Sequence, residues 1–152
     1  MKLTSIKLVI GYVAFLTLNI SSANLTIEIE NIQTNKGTLY ISLINKKDSF
    51  EKILTTNQEI LNHVDDIFIG TSKKVDRNSR QTVTLSEVPY GIYSIMIFQD
   101  LNENQRLDKW IFGPSEPYGF SKNPTTKFRA PYFEETQIKI KNEKSIVKIS
   151  LI

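Results

Sequence analysis

Gly91-Ile92-Tyr93-Ser94-Ile95-Met96-Ile97-Phe98-Gln99 is the stretch on which the fold turns. Ile92, Tyr93, Ile95, Met96, Ile97 and Phe98 form an almost continuous apolar run, as expected of a strand in the middle of a sheet. Working outward, Leu25, Ile27 and Ile29 alternate with Thr26, Glu28 and Glu30, and Leu39, Ile41 and Leu43 alternate with Tyr40, Ser42 and Ile44. A period of two marks strands with one wet face. Thr34-Asn35-Lys36 and Gly37 supply turn chemistry between these two strands, which are expected to form a hairpin. Further strands are read at Ile67 to Thr71, Gln81 to Leu85, Thr136 to Lys141 and Ser145 to Leu151. The last two flank Asn142-Glu143-Lys144 and make a second expected hairpin. Residues 45–66 are polar, with Phe50, Ile53, Leu54, Ile60 and Leu61 at loosely helical spacing, which fits a short helix or an irregular crossover. Asp100 to Pro131 holds four of the five prolines and reads mostly as loop, with a short strand near Trp110 to Phe112. Short strands without a strong helix predict an all-β domain, a single antiparallel β-sandwich.

The composition, 40% hydrophobic and 23% charged over 152 residues with no cysteine, is that of an ordinary globular chain. It excludes a disulfide-stapled miniprotein and a thiolate zinc site. Lys2 and Lys7 precede an apolar run from Leu8 to Ile20, and Ser21-Ser22-Ala23 places small residues where a signal peptidase reads them. The run is shorter than the roughly 20 apolar residues a membrane span needs, and it already contains Thr17 and Asn19. The expectation is a cleaved signal peptide over residues 1–23 and one domain over residues 24–152, periplasmic or secreted, with no stable membrane insertion after cleavage. Without cysteine there is no site for lipoprotein acylation. Loss of Lys2 and Lys7 brings the formal net charge from +3 to +1, so the basic isoelectric point does not point to nucleic acid. Lys139, Lys141, Lys144 and Lys148 interleave with Ile138, Ile140, Val147 and Ile149 and read as the solvated face of two strands. His63 is the only imidazole, which argues against a catalytic triad or a multi-histidine zinc site. Ser115 and Ser121 lack a nucleophile-elbow context, and there is no glycine-rich phosphate loop.

The segment richest in chemistry is Asp100-Leu101-Asn102-Glu103-Asn104-Gln105-Arg106-Leu107-Asp108, with short oxygen-bearing side chains at alternate positions. A hard cation such as Ca²⁺ takes six to eight oxygens at about 2.3–2.6 Å. Asp100, Asn102, Asn104 and Asp108, together with the Arg106 carbonyl, occupy the first, third, fifth, ninth and seventh places of a calcium-loop pattern. The sixth place is Gln105 rather than glycine and the twelfth is Ile111 rather than a bidentate Glu, so an EF-hand proper is excluded and weak Ca²⁺ binding is expected. The alternative is a metal-free turn in which Asp and Asn side chains hold their own backbone. Glu116 stands close enough in sequence to fold back toward the loop.

These residues carry a resemblance. Val88-Pro89-Tyr90-Gly91-Ile92-Tyr93, Gln99 to Asn104, Leu107-Asp108, Gly113-Pro114-Ser115-Glu116-Pro117-Tyr118-Gly119-Phe120-Ser121 and Ala130-Pro131-Tyr132-Phe133-Glu134-Glu135-Thr136 occur in the order seen in an exported bacterial family catalogued as domain of unknown function 2141. The chain resembles that family over essentially its whole mature length. The resemblance implies an exported single-domain β-sandwich, similar to transthyretin-like or carboxypeptidase-regulatory-like modules, and no established activity. Gln99 stands where the family often has His, and Gln105 where it often has Gly. Three function classes remain. The first is a non-enzymatic binding module whose 100–131 loop meets a protein or glycan of the cell envelope, the glycan being favoured if Trp110, Phe112, Tyr118, Phe120, Tyr132 and Phe133 stand exposed. The others are a structural envelope component without a small ligand, and a hydrolase using two carboxylates among Asp100, Asp108 and Glu116.

Overall fold

The computed structural model describes residues 21–55, 68–77, 79–111, 113–126 and 129–152. Most of the expected signal segment, together with Ile60, Leu61, His63, Ile67 and Phe112, lies outside the described residues. The protein is mostly β, with several sheets. At its centre is β5 (Gly91–Asp100), buried without interruption from Tyr93 onward. One edge of β5 pairs antiparallel with β2 (Thr38–Ile44), from Thr38 opposite Asp100 to Ile44 opposite Ser94. Its other edge is shared by β8 (Tyr118–Phe120) and β9 (Ile138–Ile140), and β3 (Ile69–Lys74) flanks β2. In a three-stranded sheet, β1 (Ser22–Glu30) lies between β4 (Gln81–Pro89) and β10 (Lys144–Ser150). A two-stranded ribbon, β6 (Lys109–Trp110) and β7 (Gly113–Pro114), stands apart from both.

The apolar run of β5 is explained by what covers it. Toward one side, Ile95 and Ile97 join Leu39, Ile41 and Leu43 of β2 and Leu25, Ile27, Ile29, Leu85 and Ile149 of the three-stranded sheet in one buried cluster. Toward the other, Met96 and Phe98 join Ile44, Phe120, Phe50, Ile53 and Phe133 in a second. Phe50 and Ile53 come from α1 (Lys47–Thr55), whose apolar residues recur at three- and four-residue spacing, with Asp48 in its first turn and Lys52 in its last. Phe133 comes from the single-turn helix α2 (Phe133–Thr136). The Phe50 ring lies 5.9 Å from Phe120 and 5.6 Å from Phe133, centroid to centroid.

Three expectations of strand pairing are corrected. β1 and β2 are not a hairpin, because β1 pairs with β10 and β4 while β2 pairs with β3 and β5. The last two strands are not a hairpin either: β9 pairs with β5, and β10 crosses to β1. That β1–β10 pairing is parallel, so the strand arrangement is not purely antiparallel. In each case the alternation identified which face a strand buries, and a face does not name a partner. Thr136 also closes α2 rather than opening a strand. The helical reading within 45–66 holds for α1, and Tyr118–Phe120 is a strand inside the stretch read as mostly loop.

Candidate functional site

The Asp/Asn loop begins where β5 runs out of partners. Asp100 is fully buried, and its carboxylate reaches forward along the chain to accept N–H bonds from Asn104 (3.2 Å) and Gln105 (2.7 Å). Two residues adopt left-handed backbone to make the turn, Glu103 (φ 60°) and Gln105 (φ 63°). Gln105 thus takes the conformation for which a glycine is favoured at that place. Asn102 and Asn104 each close a local turn, their side-chain oxygens accepting from Asn104 N (3.2 Å) and Arg106 N (3.1 Å). Their amide nitrogens both donate to Asp108, at 2.8 Å from Asn102 and at 3.0 and 3.2 Å from Asn104. The Arg106 side chain approaches the same carboxylate at 3.8 Å.

Glu116, 6% exposed, folds back and fastens both ends of the loop. One carboxylate oxygen accepts from Leu101 N (2.8 Å) and the other from Asp108 N (3.1 Å). Ser115 N donating to the Asp108 carbonyl (2.8 Å) reinforces the join. Beneath the loop, the Gln99 amide nitrogen donates to the carbonyls of Thr34 (2.9 Å) and Lys36 (2.8 Å), and Gly37 (φ 79°) packs so closely on Asp100 that a Cβ there would overlap the Asp100 carbonyl oxygen. Lys74 and Glu103 form an ion pair across its outer side. Burial, and after it the negative charge of Asp100, push the Tyr40 hydroxyl above its usual pKa. Tyr40 stacks on Phe98 at 5.2 Å.

All four side-chain candidates therefore belong to one hydrogen-bonded loop, with Asn102, Asn104 and Asp108 in mutual contact and Asp100 tied to it through Asn104. The donor set is oxygen-rich and suits a hard cation in type. In the geometry described, however, both carboxamides present nitrogen to Asp108. Presenting oxygen instead requires each amide to turn over and give up its own backbone bond. Ile111, in the twelfth place, is 96% exposed. Among the described residues no three carboxylates or imidazoles gather at one point, so an ion here would depend on the asparagines and on the Arg106 carbonyl. As for a hydrolytic pair, Asp100 and Glu116 spend their oxygens on backbone N–H groups rather than facing solvent.

Of the aromatic side chains named from sequence, Trp110 (77% exposed) and Tyr132 (55%) stand in solvent, whereas Phe120 and Phe133 belong to the cluster under α1. Tyr132 lies under Arg129, whose guanidinium carbon is 4.2 Å from the ring centroid. The ribbon bearing Trp110 is tethered by Lys109, whose ammonium donates to Leu54 O (2.9 Å) and whose pKa burial lowers. Ser121 is structural: its hydroxyl donates to Thr136 O (2.5 Å) and accepts from Ile95 N (2.9 Å). Lys139, Lys141, Lys144 and Lys148 are exposed, and Lys148 pairs with Glu28 across the β1–β10 ladder at 3.3 Å.

Residues 27–148 match the family described as an uncharacterized protein conserved in bacteria, domain of unknown function 2141. The chain belongs to this family. No curated protein and no solved structure matches it. The span shared with domain of unknown function 2141 runs from Ile27 in β1 to Lys148 in β10, and so takes in both larger sheets, the Asp/Asn loop and Glu116.

Proposed function

We propose that the protein is an exported, non-enzymatic binding module, a single two-sheet β-sandwich whose 100–108 loop takes up Ca²⁺ weakly and presents its neighbourhood to a protein or glycan of the cell envelope. The observation that carries the cation reading is the meeting of Asn102, Asn104 and Asp108 within 2.8–3.2 Å of one another, with Asp100 bonded to the same turn. With two carboxamides to turn over and only two charged ligands, the expected dissociation constant is about 10⁻⁴–10⁻³ M. At ten times that constant, binding to the folded state alone adds about 1.4 kcal/mol, a shift of a few degrees in melting temperature. Melting curves in about 10 mM Ca²⁺ and in chelator test this. The expected result is a rise in the parent protein that vanishes in Asp108→Ala and survives in Glu103→Ala, whose carboxylate pairs with Lys74 instead. No shift in the parent, or an equal shift in Asp108→Ala, would leave the loop as a metal-free turn in a structural envelope protein.

Export is supported by the order of basic, apolar and small residues in 1–23. The expected cut after Ala23 falls beside an irregularity in the β1–β4 ladder, where the register shifts between Ala23 and Leu25. It would remove the pairs Ser22–Pro89 and Ala23–Val88 and leave Asn24, whose N–H donates to Glu143 O (2.8 Å), as the first residue. Intact-mass measurement of protein recovered outside the cytoplasm is expected to give Asn24 at the N-terminus, and a full-length chain held in the membrane fraction would refute it.

A further inference from the structure

Two glutamines lie buried at the end of the core that carries the Asp/Asn loop. Gln81 is 4% exposed and sits opposite Ile29, and Gln99 is fully buried and sits opposite Leu39. Directly paired residues on neighbouring strands project to the same side of a sheet. Ile29 and Leu39 belong to the same apolar cluster, so both glutamines enter the space between the sheets, one from each. The connection 31–37 spans this end: Ile32 N donates to Ser79 O near Gln81, and Thr34 and Lys36 accept from Gln99.

The hydrogen-bond accounting does not close within the protein. Both protons of the Gln99 amide are used, but among the described residues its side-chain oxygen meets no donor, and neither polar atom of Gln81 meets a partner. A buried polar group without a partner costs about 1–3 kcal/mol, and the large majority of buried side-chain polar atoms in folded proteins are paired, with protein or with ordered water. What satisfies such atoms must donate to a carbonyl oxygen, accept from an amide, carry no charge into an apolar core and be small. Water meets all four conditions.

We infer that Gln81 and Gln99 hold a buried water between the sheets, as a permanent part of the fold that supports the 31–37 connection from below. A cavity of about 400 Å³ opens beside the 31–37 connection, lined by Ile32, Gln33, Thr34, Asn35, Asp76, Arg77 and Ser79. Ile32 belongs both to its wall and to the apolar core.

Water-to-amide cross-relaxation in ¹⁵N-labelled protein tests the inference directly, because the Gln81 side-chain amide is both a ligand and a reporter. The expected result is a cross-peak with the sign given by water held longer than the molecule's tumbling time. Solvent ¹⁷O relaxation dispersion gives the comparison with Gln81→Met, which preserves bulk and removes the amide. Its amplitude is expected to fall by the share of about one long-lived water. A Gln81 amide with no bound-water cross-peak, a scalar coupling revealing a direct hydrogen bond to the Gln99 oxygen, or equal dispersion in parent and variant would overturn it. The cross-relaxation reading uses the parent protein alone and stands even if the variant does not fold.

Discussion

Glu116 holds the loop with a carboxylate, and the choice of carboxylate over carboxamide matters. Both oxygens accept N–H bonds, from Leu101 and from Asp108. Glu116→Gln keeps the shape but turns the carboxamide NH₂ toward one of those N–H groups, leaving a donor facing a donor. The expected loss is about 1–3 kcal/mol of unfolding free energy, read from urea denaturation. A variant as stable as the parent would show that Glu116 does not clamp the loop. The alternation of Asp and Asn was legible because oxygen at every second place is a pattern along the chain. The clamp was not, since nothing local in Gly113-Pro114-Ser115-Glu116 distinguishes a buried carboxylate from a solvated one, and only the loop's unpaired N–H groups call it in. Gln81 and Gln99 were illegible for the same reason, each being one polar residue in a strand otherwise read for its face.

Among the elements, α2 is a single turn that owes its position to its neighbours. Glu135 accepts from both Arg129 guanidinium nitrogens (2.8 Å each) and from Tyr132 N (2.8 Å). The Arg129 hydrogen bonds, then that backbone N–H, hold its pKa at about 2 against an ordinary value near 4.5. A carboxylate depressed in the folded state contributes stability that is complete above its unfolded pKa and is lost as pH falls toward the folded one. The knot 129–135 is therefore expected to loosen between about pH 4.5 and pH 2, and a carboxyl-carbon titration of Glu135 by NMR checks it. A midpoint above pH 4 would contradict the pairing. For α1, Phe50 fills the space between β5 and α2, and Phe50→Ala is expected to cost about 3–5 kcal/mol in chemical denaturation. Its helical spacing showed from Phe50, Ile53 and Leu54 alone. β8 stayed hidden because only three residues pair, and they stand among Pro114, Pro117 and Gly119, whose signals are those of turns.

For the molecule as a whole, far-ultraviolet circular dichroism is expected to show a strand-dominated spectrum, with a melting temperature unaffected by reductant because the chain has no cysteine. A helix-dominated spectrum would be inconsistent with the two larger sheets. The β character was legible because period two recurs in segment after segment, whereas the pairing was not, because partners distant in sequence leave no local trace. That distance also sets an order of events. β1 takes β10 as a parallel neighbour, with Leu25 opposite Ser145, and Asn31 reaches across to donate to the Leu151 carbonyl at 2.6 Å. A chain emerging stepwise from a ribosome therefore offers β1 to its surroundings with one edge bare until β2 to β9 have been made and β10 follows. Closing the β1–β10 ladder then waits for β10, and it carries the loop-closure cost that makes non-local pairings slow. During that wait the exposed edge is where the nascent protein can be joined by the wrong strand.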